Sequence, residues 1–236
     1  MRLLDAGCGP GSITLGLADA IGPDGQAVGI DASGKSIAAA RALAADRDIP
    51  NVRFSVADIH ALPFADGTFD AAFIHAVLQH LPDPLAALRE VRRVMKPGAV
   101  IGIGDADLDG SLIWPATPAL DRSIRLMAEL SRAEGGSPHV GRRLRTALHD
   151  AGFSPTAASV IADADGASEA TMRTGAFWAA LHESPPFLAH ITALGLATEP
   201  ELHAMAAAWR KWGADSGAFW ARFWCHAVGW APLAVP

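Results

Sequence analysis

The 236-residue chain has no tyrosine, two cysteines, and 3 lysines against 16 arginines. Cys8 lies in a glycine turn and Cys225 near the other end, so a disulfide framework is not indicated. A reducing, cytoplasmic setting is the simpler expectation. The scarcity of lysine beside abundant alanine reflects high-GC coding and carries no function. No apolar run is long enough to span a bilayer, so no membrane partner is expected. The formal net charge is -6, and no basic patch, stripe or charged tail marks a nucleic-acid binder. What the chain has instead is apolar material: 50% of its residues are hydrophobic, ample for one large core or a core domain with an elaborated cap.

The most informative stretch is the first. Arg2-Leu3-Leu4-Asp5 reads as a short strand, Ala6-Gly7-Cys8-Gly9-Pro10-Gly11 as a tight turn, and the apolar spacing of Ile13, Leu15, Leu17, Ala18 and Ile21 as a helix. Glycines let the main chain adopt positive φ and let a ligand press against the backbone at the helix N-terminus. A dinucleotide fingerprint needs a further glycine at position 12, where Ser12 stands. Gln26 to Asp31 reads as a second strand, and Asp31 sits where nucleotide-binding α/β folds place a carboxylate for ribose hydroxyls. Ser33 is expected to cap the helix that follows. Gly29 to Ser36 satisfies the phosphate-loop expression letter for letter. Only three residues separate Gly29 from the Asp24-Gly25 turn, however, and Asp31 would face the phosphates, so the match is read as chance.

Val52 to Asp58 alternates as a third strand ending at Asp58-Ile59. Leu62-Pro63-Phe64, then Thr68-Phe69-Asp70, leads into the buried strand Ala71 to Ile74. His75 to Leu81 is expected to begin a helix that stops before Pro82 and Pro84. A helix with the stripe Leu85, Leu88, Val91, Val94 and Met95 precedes a fifth strand, Ala99 to Asp105. Strand-helix alternation of this kind requires right-handed crossovers and a parallel sheet covered on both faces. Later expectations are helices over 120–134 and 142–151, a sixth strand at 160–162, further helices within 167–213, and a last strand over 217–230.

The Asp5 to Gly11 turn resembles the first motif of class I, Rossmann-like, S-adenosylmethionine-dependent methyltransferases. The run from Leu62 through the paired histidines resembles the ubiquinone/menaquinone-biosynthesis type among them, and the closing Gly-Ala-Phe strand resembles that family's last strand. The resemblance implies a mostly parallel seven-stranded sheet with helices on both faces, an antiparallel last strand, and helical insertions forming a substrate cap. Residues 1–236 would be one domain, with 1–106 binding cofactor, 107–140 and 167–213 capping the substrate, and 217–230 closing the sheet. It also implies S-adenosylmethionine as cofactor. Asp5, Gly7, Cys8, Gly9 and Gly11 would take its methionine portion, Asp31 and Ala32 its ribose, and Asp58 and Ile59 its adenine, with His75 lining the pocket. Family members usually carry helices before the first strand, so either that lid is lacking or Met1 is not the native start.

Methyl transfer from a sulfonium is an in-line displacement that chiefly demands alignment and exclusion of water. A general base is needed only if the nucleophile must lose a proton, and His75 and His80 are the candidates. Five residues along a helix turn about 140 degrees, so the pair is not a metal site. The expected partner is a small, apolar or aromatic metabolite methylated at O, N or C. A protein of this fold that binds the cofactor without transferring a methyl group stays open as the alternative, and the oligomeric state is left undetermined.

Overall fold

Short aliphatic runs ended by glycine or an acid make the first strands, and polar caps followed by amphipathic stretches make the helices. The computed structural model describes residues 1–233. In chain order the elements are β1 (Arg2–Ala6), α1 (Ser12–Ile21), β2 (Gln26–Asp31), α2 (Gly34–Asp46), β3 (Val52–Val56), β4 (Phe69–His75), a 3-10 turn (Leu78–His80) and α3 (Pro84–Val94). They continue as β5 (Met95–Trp114), α4 (Pro118–Ala133), α5 (Val140–Asp150), β6 (Thr156–Asp165), α6 (Ser168–Glu183), α7 (Pro185–Ala193), α8 (Glu199–Gly213) and β7 (Phe219–Trp230). Ser33 caps α2 as expected, accepting from the Ser36 N–H at 3.2 Å. Asp83 caps α3 with Pro84 at its first position, and Thr198 with Glu201 forms a capping box on α8.

The seven strands form one sheet in the order β3-β2-β1-β4-β5-β7-β6. The pairs β3–β2, β2–β1, β1–β4 and β4–β5 are parallel. β7 runs against β5: Ala231 exchanges hydrogen bonds with Gly98 and Ala99, whereas His226, five residues earlier, lies beside Gly104, five residues later. The first crossovers step outward from β1 to β3, and the β4-α3-β5 crossover steps the other way. With one handedness this puts α1 and α2 on one face and α3 on the other. Leu15, Ala18, Ile37 and Ala40 pack with Val52 and Phe54 on the first face. The reversal falls between β1 and β4, leaving a crevice outside their carboxyl ends.

Two compact units emerge. The first holds Met1–Asp105, Arg142–Ser159 and Cys225 onward, and the second holds Ala106–Gly141 and Val160–Trp224. Strands β5, β6 and β7 each continue from one into the other. The second unit has its own core, in which Trp209 and Trp212 are fully buried and Trp178 and Trp220 pack against them. Trp209 Nε1–H donates to Ser123 Oγ at 2.8 Å, and Ser123 lies 3.0 Å from His182 Nε2. His182 Nδ1 is 2.6 Å from the Trp178 carbonyl, which assigns its proton to Nδ1 and makes Nε2 the acceptor of the Ser123 hydroxyl. Trp178, Trp209 and Trp212 thus belong to the core of this unit.

Two expectations need correction. Residues 75–80 are not a helix: β4 runs to His75, Ala76 takes a left-handed φ of 56°, and only the short 3-10 turn follows. Pro82 and Pro84 close behind leave no room for a helix to propagate. β5 does not stop at Asp105 but runs on to Trp114. Among the described residues no helix is long and apolar enough to cross a membrane.

Candidate functional site

The crevice at the strand ends is built around the glycine turn. The Gly7 and Cys8 N–H groups both donate to the Ile30 carbonyl, at 2.8 and 2.9 Å, lashing the turn to the end of β2. Gly7 has φ +83°, and a Cβ there would fall 2.2 Å from Val77 Cγ2, so the segment after β4 rests directly on this backbone. Asp31 completes the lashing. Its Oδ2 accepts from the Gly9 N–H at 3.0 Å and its Oδ1 from the Ser33 N–H at 2.8 Å, and each oxygen keeps a further lone pair.

A cleft of about 500 Å³ opens here. Its lining includes Gly7, Cys8 and Gly9 from the turn, Asp31 and Ala32 after β2, Asp58, Ile59 and His60 after β3, and His75, Val77, His80 and Leu81 after β4. The structure therefore brings most of the sequence-derived candidates to one place. Asp58 is exposed and its carboxylate accepts from the His60 N–H at 2.9 Å, with the His60 ring nitrogen at 3.0 Å; these bonds hold its pKa below the usual carboxylate value. Ile59 is buried against the cleft wall. Burial pushes the Cys8 thiol up to about 12, so it stays an uncharged lining group.

Asp5 and Gly11 are placed differently, behind the turn and outside the cleft lining. Asp5 is 2% exposed and 2.5 Å from the Thr14 hydroxyl, and desolvation raises its pKa to about 6. Gly11, at φ +87°, packs against Ala40 and Phe54. His75 and His80 both reach the cleft although no helix carries them. Burial, then the nearby His226, lowers the pKa of His75, while His80 is exposed and 3.2 Å from the Gln79 amide.

Sequence reasoning missed Asp105. Fully buried at the end of the first unit's part of β5, it accepts from the Leu78 N–H at 2.9 Å and so pins the turn that carries His80. Desolvation raises its pKa to about 7. The available signal was repetition: Asp5, Asp31, Asp58 and Asp105 each close an apolar strand. The phosphate-loop match fails structurally, because Gly29, Ile30 and Asp31 are strand and Lys35 is exposed on α2.

Chemically the cleft is acidic and apolar. Asp31 and Asp58 line it, and among the described residues neither lysine nor arginine does. That lining would repel a pyrophosphate and suits a ligand that carries a positive charge, an adenine-like ring and hydroxyls. The glycine turn at the N-terminus of α1 leaves backbone room for such a ligand, since nothing lies within 4 Å of where a Gly9 Cβ would be.

Comparison with known proteins agrees with this chemistry. A family model described as a methyltransferase domain matches residues 1–140. An uncharacterized methyltransferase of Schizosaccharomyces pombe is 37% identical over 158 residues, covering 64% of this chain and 56% of its own. A demethylmenaquinone methyltransferase of Lactococcus lactis is 37% identical over 98 residues, covering 42% of this chain and 39% of its own. Among solved structures, the YcgJ protein of Bacillus subtilis superposes with a TM-score of 0.63 over 99% of this chain and 92% of its own, at 19% identity, a likeness of fold. The chain spans about half the length of the curated relatives it matches.

Proposed function

Since the chain belongs to the class I S-adenosylmethionine-dependent methyltransferases, we propose that it transfers a methyl group to a small, apolar or aromatic metabolite. The observation that carries this reading is the pairing of Asp31 and Asp58 with a glycine turn in a cleft that, among the described residues, no lysine or arginine lines. S-adenosylmethionine supplies an electrophilic methyl carbon on a sulfonium. Asp31, already braced by Gly9 and Ser33, accepts from the ribose hydroxyls; Asp58 accepts from the adenine amine and Ile59 packs on its ring. The turn Gly7 to Gly9 receives the amino-acid end against the backbone. Ile59, Val77 and Leu81 support an apolar or aromatic acceptor. Residues 1–106 are assigned to the cofactor, 107–140 and 167–213 to acceptor selection. The cytoplasm is the proposed location, in keeping with a sequence that carries two cysteines in 236 residues.

Calorimetry tests the reading. S-adenosylmethionine and S-adenosylhomocysteine are expected to bind and NAD is not; binding of the dinucleotide alone would sink it. Asp31→Ala removes a charged acceptor worth about 1.5–3 kcal/mol, so affinity should fall about 10- to 100-fold. An unchanged constant would move the ribose contact elsewhere.

A further inference from the structure

The connection from β4 to α3 makes one wall of the cleft through Val77, His80 and Leu81, and the turn after β3 makes another through Asp58, Ile59 and His60. The first wall is tied to β5 from behind: the Ala76 N–H donates to the Gly104 carbonyl at 2.8 Å and the Leu78 N–H to Asp105 Oδ2 at 2.9 Å. Its far end is joined to the second wall by His60. The Nε2 of that ring lies 3.2 Å from the Asp83 carbonyl oxygen, and its Nδ1 lies 3.0 Å from Asp58 Oδ1. The imidazole therefore bridges Asp58, read above as the adenine contact, and the N-cap of α3, whose own carboxylate is engaged by the Ala86 N–H at 2.9 Å.

Both partners of the ring are acceptors. A backbone carbonyl has no proton to give, and the Asp58 carboxyl, held below the usual carboxylate value chiefly by its bonds from His60, is ionised. A neutral imidazole carries a single N–H, so in either tautomer a ring lone pair would face an oxygen at 3.0 or 3.2 Å. The imidazolium donates from both nitrogens and satisfies both oxygens. The Asp83 carbonyl has a lone pair for it, since its other donor is the Ala87 N–H at a long 3.4 Å. On Asp58 the main-chain and ring bonds from His60 both fall on Oδ1, which leaves Oδ2 as the acceptor for an adenine amine.

Resting on the methyltransferase reading, we propose that His60 is a positioning residue for the adenosyl group, an imidazolium that fixes Asp58 and clasps the turn after β3 to the start of α3. When the ring loses a proton it keeps one bond. The bond to the carboxylate is the stronger, so the Asp83 link is the one released and the adenine wall loosens. S-adenosylhomocysteine, whose sulfur is uncharged, therefore binds more weakly as pH rises. Charge alone would act the other way on a sulfonium, because removing a positive charge from the cleft favours a cation. The other titratable and charged groups around this wall are the Asp83 carboxylate, the Glu90–Arg93 pair on α3, His75 and His80 in the cleft, and Asp105 behind it, which burial raises to about 7. Their titration persists when His60 is replaced; only the contribution of the clasp disappears.

The test is calorimetry of the whole chain with S-adenosylhomocysteine from about pH 5.5 to about pH 8.5, a range over which an imidazole changes charge. Wild-type affinity is expected to fall about fivefold across it, the worth of a partly exposed ion pair. His60→Gln has no charge to lose. It should bind about fivefold more weakly than wild type at the acid end, match it at the basic end, and give the flatter profile. His60→Ala should behave as His60→Gln does, and thermal unfolding of each variant at both ends of the range reports that it folds. A wild-type affinity that rises with pH, or falls by less than about twofold, overturns the proposal, as does the same fall in His60→Gln as in wild type. Failure of wild type to bind S-adenosylhomocysteine at any pH is the separate result that overturns the cofactor reading, and this proposal with it.

Discussion

Asp5 illustrates how one residue type serves two ends in this chain. Asp31, at the cleft, works as an exposed-edge acceptor, but Asp5 one strand over is buried under the same turn, and its pKa rises to about 6. The ordinary value is 3.8, so between pH 3.8 and about 6 the folded state holds more protons than the unfolded one. Stability therefore falls as pH rises through that window, by on the order of 3 kcal/mol in full. Asp5→Asn keeps an acceptor for Thr14 and has nothing to ionise. Measured by denaturant unfolding, the variant should gain on wild type by up to that amount between pH 4 and pH 7; an equal difference at both would refute a desolvated Asp5.

At the scale of elements, the site is a mutual fit of two loops. The turn after β1 supplies a backbone with no Cβ at Gly7, and the segment after β4 fills the space with Val77. Ala76 accepts a left-handed φ to make that approach, its N–H bonded to the Gly104 carbonyl at 2.8 Å, and Asp105 pins the turn that follows. Strain of this kind, about 1 kcal/mol or more, persists only where the surroundings enforce it. Gly7→Ala puts a Cβ into Val77 and strains φ, so S-adenosylhomocysteine binding should be lost in calorimetry. Adding Val77→Ala relieves the collision but not the φ, and partial recovery is the expected result; full recovery would mean that the backbone angle is immaterial.

At the scale of the molecule, the second unit depends on a contact between glycines. α6 and α8 approach so closely that a Cβ on Gly175 would lie 2.6 Å from the Trp209 carbonyl oxygen and 2.9 Å from Gly213 Cα. Backbone cannot yield as a side chain does, so Gly175→Ala should cost about 1–3 kcal/mol. Because Trp178, Trp209, Trp212 and Trp220 share that core, intrinsic fluorescence should report the loss as an earlier unfolding midpoint. A midpoint unchanged from wild type would show that the helices separate at no cost.

The amino-acid sequence by itself determined the parallel sheet and the glycine turn. Alternating strand and helix periods, strand-end acids and caps such as Ser33 are local signals, set by neighbours a few residues apart. The tertiary structure decided the rest. Residues 75–80 carry helical letters, but the prolines behind them and the bonds from Gly104 and Asp105 impose a strand end and a 3-10 turn instead. β5 outran its expected end because β7, more than a hundred residues later, pairs along it. The approach of His226 to His75 across Gly104 had no trace in any local pattern. It exists only because the sheet order sets β4, β5 and β7 side by side, and side-chain contacts of that range are fixed by packing, not by the propensity of any one segment.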